Sequence, residues 1–451
     1  MGAKTTREIA EFVCASAYKD LPSEVIGYAK ILALSHLGMN IAGSVMEFGR
    51  IVNQYVKAKG GNPDAGVFGA GFRAGVEDAA LANGNAAHSP ELQDKSPAES
   101  MYSCGHWPTV FAMGEKLKLP GSEVIEALII GYEVASRLGV AFKTAHVRGA
   151  TPDACSAIGN AASVAKMLRL NVAQTTSALS LAASQATGIL RQTGSGAHVV
   201  EAGFLGRDGI CAAELAARGY TGQPDILEGT LGFGDMWSGC PEFNLPLHEG
   251  YVLMRVGIRQ HSCCGGAQRN VDAMLDLIAE HSIAWEDVAS VEHEINYTRS
   301  QILKYDQPAT AIETRFSLPH ITVACFFDKK VFMPSFTDEK ARDPRWQEAR
   351  RKVKVTIHPD WPEGSHHFDS PVTITLKNGK RYQKIRKAAT GDPRDYRFGI
   401  EDVMKKYLDC IEFAATLSRA RAEQIAEMTL GLEKMDDISP LTALLTYPDR
   451  A

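Results

Sequence analysis

The 451-residue sequence has no surplus of positive charge: 48 lysines and arginines face 53 aspartates and glutamates, a formal net charge of −5. A phosphate backbone finds no excess of cations to neutralise it, which argues against nucleic acid as a partner. Long apolar runs are also missing. No stretch of about 18 uncharged apolar residues stands out, and the opening MGAKTTREIAEF lacks the basic-then-apolar order of a secretory leader. The expectation is a soluble, cytoplasmic chain without a membrane partner. The nine cysteines are scattered, odd in number and without any C-x-x-C pair. Reduced thiols follow, rather than a disulfide framework or a structural zinc. Also absent are a Walker loop, a G-x-G-x-x-G behind a strand, H-E-x-x-H and G-x-S-x-G, which removes the usual signatures of nucleotide-binding, zincin and hydrolase sites.

What is present is a chain that can fold, with 45% hydrophobic and 22% charged residues and few low-complexity tracts; its length suits two or three domains. The first two-thirds has helical period. Thr5 and Glu8 have capping-box spacing ahead of Ile9, Phe12, Val13 and Ala17. Pro22 precedes SEVIGYAKILALSHLGMNIAG, and helical patterns recur at 122–142, 154–169 and 172–190. Their small, apolar residues predict closely packed central helices. Near residue 288 the period changes to two: VASVEHEINYT, KVKVTIHPD and SPVTITLKNGKRYQKI read as strands, with a tight turn at Asn378-Gly379. TRFSLPHITVACFFDKK between them reads as a helix entered through proline, and helices return after residue 400. The fold class is therefore mainly α: a discontinuous helical domain, 1–269 with 396–451, and a smaller α+β lid, 270–395. A cleft between them is a natural ligand site.

Two segments carry candidate chemistry. In ANGNAAHSPELQDKSPAES (82–100), an alanine-rich helix is cut by Pro90 and Pro97, and His88, Glu91, Asp94 and Lys95 crowd the gap. Acid and base types together suit proton transfer next to a carboxylate, although a solvated loop is also polar. GSGAHVVEAGFLGRDG (194–209) reads as a glycine-rich loop between helices. Its functional alternative has Ser195, Gly196 and His198 facing an anion at a helix start.

The ordered patterns DAALANGNAAHS (78–89), PTVFAMGEKL (108–117), GYEVASRLG (131–139), AIGNAASVAKML (157–168), FSLPH (316–320) and AEQIAEMTLGLEKMDDISPLTALL (422–445) resemble the MmgE/PrpD family over almost the whole chain. That family includes 2-methylcitrate dehydratase, cis-aconitate decarboxylase and iminodisuccinate epimerase. The resemblance implies a helical domain closed by its own C-terminal helices, an α+β lid, a homodimer, and a cofactor-free and metal-free site in the cleft. It also implies proton removal or addition beside a carboxylate of a small di- or tricarboxylic acid.

Against the family's His-x-x-Asp-x-Asp-Asp-Thr, this chain has His88-Ser-Pro-Glu91-Leu-Gln93-Asp94-Lys95. The histidine of a following His-Pro-Ser falls on Met101, with His106 five residues later. Gly-Phe-His-Pro-Thr is replaced by Gly149-Ala150-Thr151-Pro152-Asp153; a Lys-Pro-x-His stretch aligns its lysine with His198 and its histidine with Glu201. FSLPY ends in His320, and Cys263 of HSCCGGAQR matches a family cysteine. Most reacting side chains differ while the scaffold pattern persists.

Two explanations stand side by side: a re-tasked site still aimed at an acidic small molecule, or a binding relative that has lost catalysis. The replacements are ionisable, which favours the first. On that reading Lys95 or His320 moves the α-proton, a buried lysine serving as base through a lowered pKa. His198 and His106 neutralise substrate carboxylate, and Glu91 and Asp94 orient the bases or act as acid. His88, Thr151 and Cys263 complete the substrate-binding set. Dehydration is the leading reaction, then epimerisation, then decarboxylation. Each residue has a plain alternative: His320 in a core, His198 on a loop surface, Lys95 solvated, Cys263 and Cys264 inert. His198, His320 and Glu91 could hold a metal only if folding made them converge.

Overall fold

The computed structural model describes residues 5–98, 100, 102–142, 145, 148–362 and 369–449. Its first half is a succession of helices: α1 (Thr5–Ala15), α2 (Ser23–Ser44), α3 (Glu47–Lys59), α4 (Val76–His88), α5 (Tyr102–Leu117), α6 (Gly121–Ala141), α7 (Cys155–Met167), α8 (Val172–Gln185) and α9 (Gly196–Ala217). Met101, expected opposite a family histidine, lies outside the described residues. Local chemistry accounts for several starts. Asn171 accepts from Gln174 N–H while the Gln174 side chain returns to Asn171 N–H, a capping box at α8. At α1 the orphan donors are met from far away, Thr6 N–H donating to Glu228 Oε2 at 3.0 Å.

Small residues let these helices touch backbone to backbone. A Cβ at Gly84 of α4 would come within 2.8 Å of Gly203 Cα in α9, and one at Gly209 within 2.4 Å of Asn160 Cβ in α7. This corrects the loop expected at 194–209: its glycines serve close helix approach, and from Gly196 onward the segment is helical, with Ser195 extended at the N-cap. The expected lack of a long uncharged apolar run holds, since Lys30 interrupts α2. α2 is long and apolar enough to cross a membrane by length and composition, yet 78% of that window is buried inside the protein. It is a core helix, with residues 32–44 all buried.

Short ladders pair β1 (Ala65–Val67) with β2 (Phe72–Ala74), and β3 (Asp94–Lys95) with β4 (Gly257–Ile258). β5 (Val288–Asn296), β6 (Val353–His358), β7 (Val372–Leu376) and β8 (Arg381–Lys384) form a mixed sheet in the order β6-β5-β7-β8. β5 and β6 are parallel, so a crossover must join them; it contains the helix Leu318–Phe327, entered through Pro319 as the sequence predicts. β7 and β8 form the expected hairpin, with Gly379 at φ +82° in the turn, a conformation that glycine adopts without a Cβ penalty.

Two large hydrophobic interiors result, and a smaller cluster of Met39, Ala42, Leu92, Phe332, Met333 and Cys410 lies where residues of both halves meet. One joins Ile9–Ile258 to Phe398–Leu445, so the C-terminal helices Ile400–Ala414 and Arg419–Leu430 pack back on the N-terminal bundle. The other runs from Cys263 to Ile374 around the mixed sheet. The β3–β4 ladder pairs Asp94 with Ile258, which brings Arg259 toward the segment that follows α4 and so positions the site.

Candidate functional site

α4 ends at His88, and the chain turns sharply through Ser89 and Pro90. Glu91 takes φ +53°, unusual for a residue with a Cβ, while its N–H donates to His88 O at 3.0 Å. That strained turn folds Glu91 back under His88: His88 Nε2 and Glu91 Oε2 are 3.5 Å apart. Gly84–Gly203 packing brings the first turn of α9 alongside, so the His88 and His198 rings meet edge to face with centroids 4.7 Å apart. Beyond β4, Arg259 donates from Nη1 to Glu91 Oε1 at 2.6 Å, its guanidinium lying against Gly265. Arg315, just before the helix Leu318–Phe327, donates from Nη1 to Ser89 O.

The four groups are dry: His88 is 0%, Glu91 3% and His198 9% exposed, and the Arg259 side chain 11%. Burial would raise the Glu91 pKa, but Arg259, His88 and His198 together overcome it and hold the carboxyl well below its usual range. His198 Nδ1 donates to Glu201 Oε2 at 3.0 Å. Burial pulls His198 toward its neutral form; the Glu201 bond and the charges of Glu91, Glu201 and Asp153 outweigh that and raise its pKa. Arg315 is lowered by burial to about 10 and remains a cation at neutral pH. The Nε atoms of Arg259 and Arg315, and Nε2 of His88, are buried without a hydrogen-bond partner among the described residues. The two arginine Nε–H groups are unmet donors, and beside a dry charged centre they suit an anionic guest.

Behind this centre lies a second layer. Asp94 Oδ2 accepts from Tyr132 OH at 2.9 Å and from Ser103 Oγ. Burial raises the Asp94 pKa, and those bonds together with Lys406 and Arg259 oppose the rise. Lys406, from the helix Ile400–Ala414, donates to Leu92 O at 2.7 Å, and burial brings its pKa down to about 8.

Of the residues singled out from the sequence, His88, Glu91 and His198 converge. Asp94 braces them from behind. Lys95 lies on β3, half-buried, within electrostatic range of Cys264 and Asp392. Thr151 is buried, with its N–H donating to Gly188 O at 3.0 Å, and the neighbouring Asp153 acts on His198. Cys263 Sγ accepts from Gln268 Nε2 at 3.4 Å, and burial lifts its thiol well above the ordinary range, as expected of an inert thiol.

Two histidines lie elsewhere. His106 donates from Nδ1 to Tyr102 O at 2.9 Å inside the helical bundle, and burial lowers its pKa to about 4. A neutral, enclosed ring cannot neutralise substrate carboxylate. His320 lies inside the second core, stacked on Trp346, with Nε2 on Ser335 O at 2.9 Å and Nδ1 facing Arg350 Nη1 at 3.1 Å. Both nitrogens are occupied and burial lowers its pKa to about 4, so His320 is corrected from proton carrier to structural residue. It cannot complete a metal set with His198 and Glu91; His88 stands in that position instead. Arg259, Arg315 and Lys406 were missed from the sequence. Their signal was weak: isolated arginines in GIRQH and TRFSLPH and one of two adjacent lysines in MKKYL, made relevant only by long-range pairing.

Fold and site together define a mainly helical protein with a small mixed sheet and a buried His–Glu–Arg centre suited to acid–base work on an anion. Residues 7–246 match the MmgE/PrpD N-terminal domain and residues 261–432 the MmgE/PrpD C-terminal domain. The chain belongs to the MmgE/PrpD family. Among curated relatives, cis-aconitate decarboxylase of Mus musculus is 25% identical over 98% of this chain and 93% of its own length. The human protein of that name is 25% identical over 95% and 92%, and that of Aspergillus terreus 24% over 98% and 96%.

Proposed function

We propose that the protein is a lyase acting on a small di- or tricarboxylic acid by proton transfer at a carbon next to a carboxylate. The observation that carries this reading is the dry centre in which Glu91, bonded to Arg259, lies beside His88 and a His198 whose pKa the Glu201 bond helps to raise. Arg259 and Arg315 bind substrate carboxylates and neutralise enolate-like charge, His198 supplies the proton, and Glu201 holds its ring. Decarboxylation breaks the carbon–carboxyl bond, releases CO2 and leaves an electron pair that takes the His198 proton. In dehydration the α-proton passes to the open Nε2 of His88, the electron pair forms the double bond, and hydroxide leaves as water with the His198 proton. The names of the relatives favour decarboxylation over the dehydration that leads from the sequence alone. A helical domain of 1–269 with 396–451, a 270–395 lid and a cytoplasmic homodimer belong to the same reading; the two large hydrophobic interiors support a division in two, although Cys263, Cys264 and Ala267 pack with the second.

The test is incubation with cis-aconitate and a panel of saturated and hydroxylated di- and tricarboxylates in deuterated water, following deuterium incorporation, CO2 and water loss. Incorporation that disappears in His198→Asn supports the lyase. Thermal stabilisation by a carboxylate without exchange or turnover points to the binding relative instead.

A further inference from the structure

The donor geometry around His88 has a second capacity. Val199 O can only accept, so the 3.1 Å contact at His88 Nδ1 places that ring's hydrogen there and turns Nε2 toward Glu91. The Glu201 carboxylate likewise takes the Nδ1 hydrogen of His198, leaving its Nε2 for the centre. His88 Nε2 is fully buried, has no hydrogen-bond partner among the described residues, and faces Glu91 Oε2 at 3.5 Å. With His88 neutral, two acceptors face each other in a dry interior, a gap that takes either a shared proton or a metal cation.

Imidazoles that present Nε2 inward with Nδ1–H fixed on a carbonyl or carboxylate have the outer-shell arrangement of metal ligands. One ligand atom from each of His88, Glu91 and His198 lies within 4.8 Å of the others. Two ligands about 2.1 Å from a tetrahedral zinc ion are roughly 3.4 Å apart, so the His88–Glu91 pair is already at ligand spacing and His198 needs a small inward movement. Arg259 occupies Oε1 of Glu91 and leaves Oε2 available. Arg259 and Arg315 oppose a cation, but three carboxylates, Glu91, Glu201 and Asp153, act on His198 and outnumber them.

We infer that His88, Glu91 and His198 form a binding site for one first-row divalent cation of the kind that prefers imidazole, such as Zn2+ or Co2+. The ion occupies the lone pairs that carry the mobile proton, so metal and proton transfer exclude each other, and the metal-loaded chain is a blocked form of the site. Binding itself does not depend on which reaction the site performs.

Chelator-stripped full-length protein is dialysed against Zn2+ and, separately, titrated with Co2+ while its visible absorption is recorded. Expected is one tightly held equivalent per chain, with affinity falling tenfold or more in His198→Asn and in His88→Gln. Glu201→Gln, which removes the carboxylate charge behind the His198 ring, is expected to weaken it about tenfold. Absence of a bound equivalent, or unchanged affinity in His198→Asn, would overturn the site; the second outcome assigns the metal to another group, such as His261, whose Nε2 lies 2.9 Å from Asp272 Oδ1. Should the variants not fold, X-ray absorption of the zinc-loaded wild type counts imidazole ligands, and fewer than two overturns it. Deuterium exchange is measured separately on stripped protein. Metal binding without exchange sinks the lyase reading alone, and exchange without metal binding sinks this inference alone.

Discussion

Arg259 Nη1 donates to Glu91 Oε1 at 2.6 Å across 168 residues of sequence, and both side chains are withdrawn from water. The pair joins the strained turn after α4 to β4, and so ties the site to the boundary between the two hydrophobic interiors.

Breaking that pair from one side leaves a bare charge in a dry place. Arg259→Met is expected to cost about 3–5 kcal/mol of stability, whereas the Glu91→Gln/Arg259→Met double variant loses clearly less than the sum of its singles. Urea unfolding of the four proteins checks this. A loss below about 1 kcal/mol in Arg259→Met would mean that the pair is solvated.

The raised pKa of His198 gives a signed pH dependence. Its folded value lies above the ordinary 6.5, so its contribution to stability is full below about 6.5 and is lost as pH rises through the folded value. As proton donor it imposes the same direction on kcat/KM, an alkaline limb set by His198. Glu201→Gln removes the supporting carboxylate and should move that limb to lower pH. A profile unmoved by Glu201→Gln assigns the limb to another group.

His320→Phe separates a core histidine from a reacting one. Its two hydrogen-bond partners, Ser335 O and Arg350, lose their ring, so stability should drop by about 1–3 kcal/mol. Exchange per folded molecule should stay within about twofold of wild type. Loss of exchange in a variant that remains folded returns His320 to the reaction.

Lys406 has a folded pKa of about 8 against an ordinary 10.5, because burial disfavours its charge. The folded state therefore sheds a proton before the unfolded state does, and stability gains from this group as pH rises from about 8 toward 10.5. Lys406→Met should flatten that gain. Denaturant melts at several alkaline pH values, compared between the two proteins, read it directly.

Much of the scaffold was legible because it is written locally. The apolar all-round pattern of α2, the proline at the start of Leu318–Phe327 and the Asn378-Gly379 turn each act within a few residues. The 194–209 stretch misled for a physical reason. Glycines that let α9 approach α4 and α7 look, in one dimension, like loop glycines. The site was half legible: His88 and Glu91 are neighbours in sequence, but Arg259 and Arg315 join them through pairing that no local pattern encodes. His106 and His320 carry the same letter as His198, and only their surroundings tell them apart: among the described residues no carboxylate bonds either ring, whereas Glu201 bonds that of His198.

Lys406 reaches Leu92 O from 314 residues further along the chain. During synthesis on the ribosome, the wall behind the charged centre is therefore missing until nearly all of the polypeptide has emerged. A nascent chain halted before that lysine exposes the Leu92 carbonyl and the apolar face of α2 to solvent, so premature termination yields a sticky fragment rather than a weaker version of the whole.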